Sequence, residues 1–414
     1  MNAPFPSAPV MSERRVTLIG ALLVAIGLVS MALYTPAMPE IVRAFGTTEA
    51  LVTMTLTLYF AGFAFAQLVC GPLSDGLGRR SVTIGFMAIY LVASTVALFS
   101  PSIEILIAAR FLQGVGAAAG VAISRAIVRD FFTNESSARI MNLIGMILAV
   151  GPDFSPAIGG VTMELFGWHA IFLLMALMGV AVVWVTLFSM RETVRRDTSR
   201  IRPLAVLASY RTLIASPYFM LSSLVVTGSV GAMYTQATIL PFILMDHVGL
   251  SPTQFGLGML MQSGMFFLGS VCVRAAMPRF GAYRLVPAGL VFIATGSTAL
   301  AFLLLFVGPT FLAVMGPVGV YAFGIAFVMP AMLTASMAPF PRMAGAASSL
   351  TGFLQMGGGL LGGALAALFA DPVTALAIVI PGMGTLAIVS WLFWRRLSHP
   401  AADLPVPADI PAAE

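Results

Sequence analysis

The sequence contains no lysine, and all 21 of its basic residues are arginines. A Walker-type phosphate loop ends in lysine followed by serine or threonine, so no such loop occurs and ATP is not expected as the direct energy source. Charged residues make up only 9% of the chain, against about 25% in ordinary soluble domains. So few charges cannot cover a water-exposed surface, which excludes an ordinary soluble protein.

Cysteine and histidine are also scarce. The two cysteines, Cys70 and Cys272, lie in separate apolar runs, so we expect no disulfide framework. The histidines (His169, His247 and His399) fall at predicted helix ends or in the tail, without a Ser–His pair or a metal cluster in an apolar run. These positions argue against the alternative from another class, a membrane-embedded enzyme, and no cofactor is expected.

Apolar residues dominate what is present, at 59% of the chain. A helix needs about 20 apolar residues to cross the hydrocarbon core of a bilayer. Twelve such runs predict an all-α integral membrane protein with twelve transmembrane helices: roughly 16–38, 50–70, 81–99, 103–126, 139–161, 168–190, 217–240, 253–274, 284–306, 310–335, 344–368 and 373–394.

The positions of the arginines predict the topology. All except Arg43 and Arg110 fall in loops or helix ends on one side of the predicted bundle, and arginines accumulate on the cytoplasmic side of membranes. We therefore expect both termini in the cytoplasm and a multi-pass protein of the bacterial inner membrane. The formal charge of +5 is spread over short loops, so we expect no nucleic-acid partner. The expected partners are the lipid bilayer, protons and a small-molecule substrate, and we expect the protein to be a monomer.

The two halves of the chain resemble each other. "YTPAMP" at Tyr34 matches "YTQATILP" at Tyr234, and Gly159-Gly160 matches Gly362-Gly363. Parallel repeats predict two pseudo-symmetric six-helix bundles with a substrate site between them. The predicted organisation is a cytoplasmic N-terminal tail (1–15), a first bundle (16–190), a cytoplasmic linker (191–216), a second bundle (217–398) and a disordered cytoplasmic tail (399–414).

The loop between the second and third predicted helices reads GPLSDGLGRR, from Gly71 to Arg80. Gly71 is expected to let one helix backbone approach another closely, and Gly78 permits a tight turn. Asp75 is suited to accept hydrogen bonds from the free N–H groups at a neighbouring helix N-terminus. Arg79 and Arg80 are expected to hold the loop in the cytoplasm. The alternative is a plain charged turn.

Two further segments place unusual residues inside apolar runs. Arg110 lies inside the predicted fourth helix. A guanidinium inside the bilayer needs a partner or a water-filled cavity. Helix five contains GPDFSPAIGG, whose prolines bend the helix and whose small residues allow close packing. The residues of this helix-five motif are Gly151, Pro152, Pro156, Gly159 and Gly160.

Together these segments resemble the major facilitator superfamily. The loop after Gly71 is similar to its hallmark loop, and the helix-five segment to the antiporter motif of its twelve-helix drug exporters, with Ser155 where glycine is usual. The segment 329–355 resembles the branch of bicyclomycin and chloramphenicol-resistance exporters (Bcr/CflA). The resemblance implies export of small amphipathic compounds, such as antibiotics, in exchange for protons, by alternating access and with the proton gradient as the energy source.

The resemblance also implies a conformational latch that favours the outward-facing state. Asp75 would face the start of helix eleven near Ala344, and Arg79 would pair with Asp130 after helix four. The implied latch residues are Gly71, Asp75, Gly78, Arg79, Arg80 and Asp130.

One position departs from the Bcr/CflA pattern. The branch usually has an aspartate in helix one before the Pro36-x-x-Pro39 motif, and here Ala32 stands in that place. Of the 16 acidic residues, only Asp153 lies well inside a predicted helix. We predict that Asp153, with Arg110 nearby, binds the coupled proton and contacts a cationic or hydroxylated substrate. The alternatives are a structural partner of Arg110 or a residue that faces the outer vestibule.

Other polar residues on predicted helices are candidates to bind the substrate. With Asp153, they are Tyr34, Gln113, Tyr234, Gln236, Gln262 and Gln355. Each also has the simpler interpretation of an interhelical hydrogen bond. Because helix one lacks its acid, a facilitator or a proton symporter for a specific metabolite stays open as the alternative within transport.

Overall fold

The computed structural model describes residues 11–132, 140, 154–193, 197 and 203–397. These residues form helices and connecting turns, with no strand in the described ranges. The helices are α1 Glu13–Tyr34, α2 Met38–Phe45, α3 Glu49–Leu77, α4 Arg79–Leu98, α5 Ile103–Phe131, α6 154–166, α7 Trp168–Ser189, α8 Pro203–Ile214, α9 Pro217–Pro241, α10 Pro252–Phe280, α11 Ala282–Phe306, α12 Phe311–Met337, α13 Ala344–Ala366 and α14 Pro372–Trp394.

The fourteen described helices form twelve membrane-spanning passes, in which α1 and α2 together make one pass and α8 makes none. A 3₁₀ turn, Thr35–Ala37, joins α1 to α2 in one pass, and a π-helical turn, Phe242–His247, extends α9. Ten passes in the described residues are long and apolar enough to cross a membrane. The remaining two are α6, described from 154 onward, and α13, whose apolar run is diluted by seven glycines. The expected all-α, twelve-helix fold is confirmed.

Successive passes run in opposite directions, which gives the bundle two distinct ends. Arg15, Arg79, Arg284 and Arg395 lie at one end, which we call the arginine-rich end. Arg43 lies at the other, which we call the opposite end. Both the start of α1 and the end of α14 lie at the arginine-rich end, as an even number of passes requires.

Two separate apolar cores fill the two halves of the bundle. The first is built from buried residues of the first half, with Phe242 and Met356 as contributions from the second half. The second is built from residues between Val225 and Trp394. Lipid tails are as apolar as these side chains, so the helices associate through close packing rather than through the hydrophobic effect. The exact bounds given above for the two bundles stay predictions.

The glycine pairs of the sequence repeat occupy equivalent places in the two halves. A methyl group added at Gly160 on α6 would meet the backbone of Pro252, where α10 of the other half begins. A methyl group added at Gly363 on α13 would meet the side chain of Thr57 on α3. Each glycine therefore lies where the two halves touch. The preceding glycines pack inside their own halves, Gly159 on Leu33 of α1 and Gly362 on Thr235 of α9.

Glycines also set the crossing of α3 and α5 within the first half. An added methyl at Gly62 would overlap the carbonyl oxygen of Phe111, and one at Gly114 would overlap the carbonyl oxygen of Tyr59. The two helix backbones touch at this crossing, which only residues without a side chain permit.

Several predicted spans are shorter than the helices that contain them. The predicted spans 16–38, 50–70 and 253–274 lie in passes that cover Glu13–Phe45, Glu49–Leu77 and Pro252–Phe280. The helices continue beyond the apolar run because their backbone hydrogen bonds remain satisfied where the side chains become polar. Accordingly, α1 begins at Glu13, within the last residues of the predicted tail 1–15.

The predicted linker 191–216 contains a helix that the sequence analysis did not identify, α8. Only part of the predicted fifth span, 139–161, belongs to the described residues, and there 154–161 is helical. The predicted tail 399–414 lies outside the described residues.

Candidate functional site

The loop between α3 and α4 places one buried arginine between two carboxylates. Gly78 adopts a φ of 99°, so the chain turns sharply and α4 begins at the next residue. Arg79 Nη1 lies 2.5 Å from Asp75 Oδ1, and its Nε lies 3.2 Å from Asp130 Oδ2 at the end of α5. Arg79 also donates a hydrogen bond to Ser74 Oγ, at 2.6 Å. The pairing of Arg79 with Asp130 that the resemblance implied is present.

The segment that follows α7 completes this network, and the sequence offered no signal for it. Thr193 donates a hydrogen bond to the Asp130 carboxylate at 2.7 Å, and Arg80 donates to the carbonyl of Leu187 at 2.9 Å. Arg79 follows a loop glycine, yet only 7% of its surface is exposed. It is buried because carboxylates on both sides compensate its charge.

A crevice of about 500 Å³ opens beside this network, at the arginine-rich end, along the seam between the halves. Asp75 from the first half and Ala344 from the second both line it, together with Tyr210 from α8. The close backbone approach predicted at Gly71 is wrong for this structure. A methyl group added there would lie at an ordinary 3.8 Å from Ser349 Oγ.

Three of the predicted site residues, Arg110, Tyr34 and Gln113, form one buried cluster inside the first half. The Arg110 guanidinium lies between two aromatic rings, 4.4 Å from the centre of Tyr34 and 4.4 Å from the centre of Tyr59. It donates a hydrogen bond to Gln113 Oε1. Its Nε and Nη2 atoms have no hydrogen-bond partner among the described residues.

Neighbouring hydroxyls hold this cluster in position. Gln113 Nε2 donates to Ser94 Oγ at 2.7 Å, and the Tyr34 hydroxyl lies 2.7 Å from Thr55 Oγ1. Tyr59 was not identified from the sequence, because one tyrosine in an apolar run has no distinguishing pattern. Asp153, with Gly151 and Pro152 of the helix-five motif, lies outside the described residues.

A second polar group lies in the other half, where two glutamine side chains meet. Gln262 Nε2 on α10 donates to Gln236 Oε1 on α9 at 3.3 Å. The remaining amide atoms, Gln236 Nε2 and Gln262 Oε1, have no partner among the described residues. The predicted binding residues are therefore divided between the two halves.

Aromatic contacts cross the seam between the two halves. The rings of Phe60 on α3 and Tyr234 on α9 lie 5.5 Å apart, and those of Phe65 and Phe353 also lie 5.5 Å apart. Gln355 is half-buried one helical turn before a glycine of α13 that packs against Tyr234.

A second crevice, of about 610 Å³, opens on the seam at the opposite end. Glu49 and Thr53 of α3 line it from the first half, and Ile239 and Ala366 line it from the second. Among the described residues, no group of three or more His, Cys, Asp or Glu is placed to hold a metal ion.

Glu164, near the end of α6, links the two halves at the opposite end of the bundle. Its carboxylate accepts hydrogen bonds from Ser251 Oγ and from the backbone N–H of Thr253, both at 3.2 Å, at the start of α10. Hydrogen bonds from Thr253 are the largest cause of a lowered pKa for Glu164. The helix-five residues Pro156 and Gly160 pack against α10 on the same seam.

The fold and these sites can be compared with known proteins. The model of the family described as Major Facilitator Superfamily matches residues 18–363. The chain belongs to the Major Facilitator Superfamily. Its fold and family are those of membrane transporters, not of enzymes.

Relatives of this transporter match most of its length. It is 30% identical to an uncharacterized MFS-type transporter, YdgK, of Bacillus subtilis, over 88% of this chain and 92% of the relative. It is 28% identical to multidrug resistance protein D of Escherichia coli, over 91% of this chain and 95% of the relative. Multidrug resistance protein MdtL of Shewanella is also 28% identical, over 78% and 81%.

Solved structures share the fold at lower identity. A bacterial homolog of the human lysosomal transporter Spinster, inward-facing and unoccupied, matches with a TM-score of 0.71 at 18% identity, over 94% of this chain and 97% of that one. The human organic anion transporter MFSD10 matches with a TM-score of 0.65 at 17% identity, over 94% and 100%.

Proposed function

We propose that this transporter exports small amphipathic compounds from the cytoplasm in exchange for protons. The observation that carries the proposal is the seam between the halves, which has a crevice at each end and closed aromatic contacts between them. Such a seam suits alternating access, in which one half rocks against the other around a central site. The names of the multidrug resistance relatives support drug efflux.

The arginine-rich end is the cytoplasmic end in this proposal, so both termini are cytoplasmic in the bacterial inner membrane. The transporter works as a monomer of the Bcr/CflA branch, which the likeness of 329–355 supports. The paired Arg79, Asp75 and Asp130 act as the latch, since they lie beside the crevice that has to close in the outward-facing state.

Proton coupling rests on the charges inside the membrane. Arg110 is buried and has no acid within ion-pair distance among the described residues. Its charge is instead stabilised by two aromatic rings and by a hydrogen bond to Gln113. Asp153 is the acid that the sequence offers for the proton, and its other assignments are a structural partner of Arg110 or a residue of the outer vestibule. A carboxyl near a fixed cation can couple proton binding to movement of the halves.

The experiment that tests coupling compares wild type with Asp153→Asn in inverted membrane vesicles, with a cationic amphipathic dye as substrate. We expect an imposed proton gradient to drive dye uptake by the wild type, and the variant to retain only downhill dye exchange. Glu104→Gln, which changes an acid at the opposite end, serves as the control and should keep gradient-driven uptake. Unchanged coupling in Asp153→Asn would exclude Asp153 as the proton carrier.

The second candidate function is a facilitator or a proton symporter for a specific metabolite. Ala32 favours it, because it replaces the helix-one acid by a buried methyl group. The same vesicle assay separates the candidates. Dye movement that ignores the gradient indicates a facilitator, and movement in the same direction as the protons indicates a symporter.

A further inference from the structure

The contact between Gln236 and Gln262 leaves hydrogen-bonding capacity unused. Two primary amides that face each other can form two reciprocal N–H···O bonds. Here only one is formed, at 3.3 Å, and one donor nitrogen and one acceptor oxygen remain without partners among the described residues. Both side chains are nearly inaccessible, with 1% and 4% of their surfaces exposed. Buried polar groups are almost always paired, so such a pair indicates a missing partner.

The conclusion does not depend on how each amide is oriented. The nitrogen and oxygen of a glutamine are interchangeable at the level of shape. If both amides are turned over, Gln236 becomes the donor in the bond and Gln262 the acceptor. One NH2 group and one C=O are still left free, so a partner that offers one acceptor and one donor matches both of them.

The pair lies where the substrate path is expected. The 3₁₀ turn Thr35–Ala37 of the first half packs against both α9 and α10. The two helices that carry Gln236 and Gln262 therefore both lie on the seam. Ile239, one helical turn beyond Gln236, lines the crevice at the opposite end. Separation of the halves at that end therefore leads from the crevice to the two amides.

The surroundings of the pair are apolar and adaptable. Met233 lies one turn from Gln236, and Met259 and Phe266 lie one turn from Gln262 on either side. All three are half-buried and pack against the second core. Flexible thioethers adapt to varied apolar shapes, so the chemically specific part of this region is the amide pair.

We propose that Gln236 and Gln262 bind a carboxamide or lactam group of the exported compound. Such a group presents one N–H and one C=O on the same edge, which satisfies both free amide atoms at once. This inference rests on the proposed export function and adds a substrate class to it: apolar molecules that carry an amide N–H beside its carbonyl.

The test uses two probes that differ by one methyl group on the lactam nitrogen, 4-methylquinolin-2(1H)-one and its N-methyl derivative. Methylation removes the N–H and leaves the carbonyl and the apolar rings. We expect the wild type to transport the lactam about tenfold faster than the N-methyl compound at low concentration, since one lost hydrogen bond in a buried site changes affinity by about this factor. In Gln236→Met with Gln262→Met, the two rates should become equal.

Gln67→Met is the matched control, because Gln67 on α3 is also a buried glutamine with an unpartnered oxygen. It should keep the tenfold preference. Equal rates in the wild type, or a preference that survives in the double variant, would overturn the inference. Loss of the preference in Gln67→Met would do the same.

Two further measurements keep the outcome interpretable. The lactam should raise the unfolding temperature of the purified wild type at concentrations where the N-methyl compound has no effect, which needs no variant to fold. A cationic dye without an amide tests export by itself. Dye export with no lactam preference overturns only the amide site, whereas absence of dye export overturns the proposed function as well.

Discussion

At the scale of single residues, the most unusual feature is the buried guanidinium of Arg110. A cation in the bilayer interior costs about 2.5–3.5 kcal/mol on insertion scales. The rings of Tyr34 and Tyr59 lie on the guanidinium at 4.4 Å each, and a desolvated cation–π contact contributes about 2 kcal/mol or more. Aromatic rings therefore stabilise the buried charge of Arg110, as carboxylates stabilise that of Arg79.

Replacement of Arg110 by lysine tests this aromatic stabilisation. Lysine keeps the charge, but its compact ammonium cannot lie flat between two rings. We expect Arg110→Lys to lower the free energy of unfolding by about 2 kcal/mol, measured as a lower unfolding temperature in detergent. Arg279→Lys is the control, because that exposed arginine lies 5.5 Å from a single ring, Phe280, and its stability should not change. Equal stability of both variants would contradict the role of the rings.

Some residues around Arg110 could be predicted from the sequence and others could not. Arg110 and Gln113 were recognisable because polar side chains inside an apolar run are unusual. Tyr59 was not, because nothing in the sequence shows which face of α3 meets α5. The free amide atoms of Gln236 and Gln262 depend on side-chain geometry, which no sequence pattern reports.

At the scale of helices, backbone contacts decide how closely the elements pack. The α3–α5 crossing brings Gly114 against the Tyr59 carbonyl. Neither backbone can move aside without displacement of a whole helix, so the space cannot accept even one methyl group.

Gly114→Ala is therefore expected to destabilise the first half by about 1–3 kcal/mol. Gly85→Ala on α4 is the matched control, since a methyl group there meets nothing within 4 Å, and its stability should be unchanged or slightly higher. Unfolding temperatures of the two purified variants provide the comparison. The contact would be refuted if Gly114→Ala were as stable as Gly85→Ala.

The helices themselves were largely predictable, because long apolar runs with glycine or polar residues between them are unambiguous. The ends at Leu77 and Phe280 were not, since a helix continues into polar surroundings without any change in its backbone bonding. The linker helix α8 was not predicted, because the prediction rests on apolar runs long enough to span a bilayer. It has only 12 residues, too few to cross a membrane.

At the scale of the whole molecule, Glu164 joins the two halves at the opposite end, and we expect its protonation to weaken that contact. Its pKa lies below the ordinary value of 4.5 in this closed arrangement, chiefly because Thr253 donates hydrogen bonds to the carboxylate. The ionised form therefore favours closure at the opposite end. This contribution is fully present above the ordinary pKa and is lost as the pH falls through the lowered one.

Acidification should accordingly open the opposite end, and Glu164→Gln should remove that pH dependence. Spin labels on Phe166→Cys and Leu257→Cys, in a Cys272→Ser background, would measure the distance across the seam. We expect this distance to increase below the ordinary pKa in the otherwise unchanged protein and to be constant in Glu164→Gln. Glu104→Gln should behave like the unchanged protein, because the Glu104 carboxylate is hydrogen-bonded to Ser102 of its own half and not across the seam. A constant distance in all three would contradict the link.

The helix that joins the halves, α8, is attached to both of them. Tyr210 donates a hydrogen bond to the Leu68 carbonyl of the first half at 2.6 Å, and Leu213 is buried in a cluster with Phe219 and Leu350 of the second half. The linker helix is thus packed against both halves rather than free between them. In the alternating access proposed above, movement of one half relative to the other would have to break the Tyr210 hydrogen bond or remove Leu213 from its cluster. We therefore expect a contact outside the substrate path to restrict that movement.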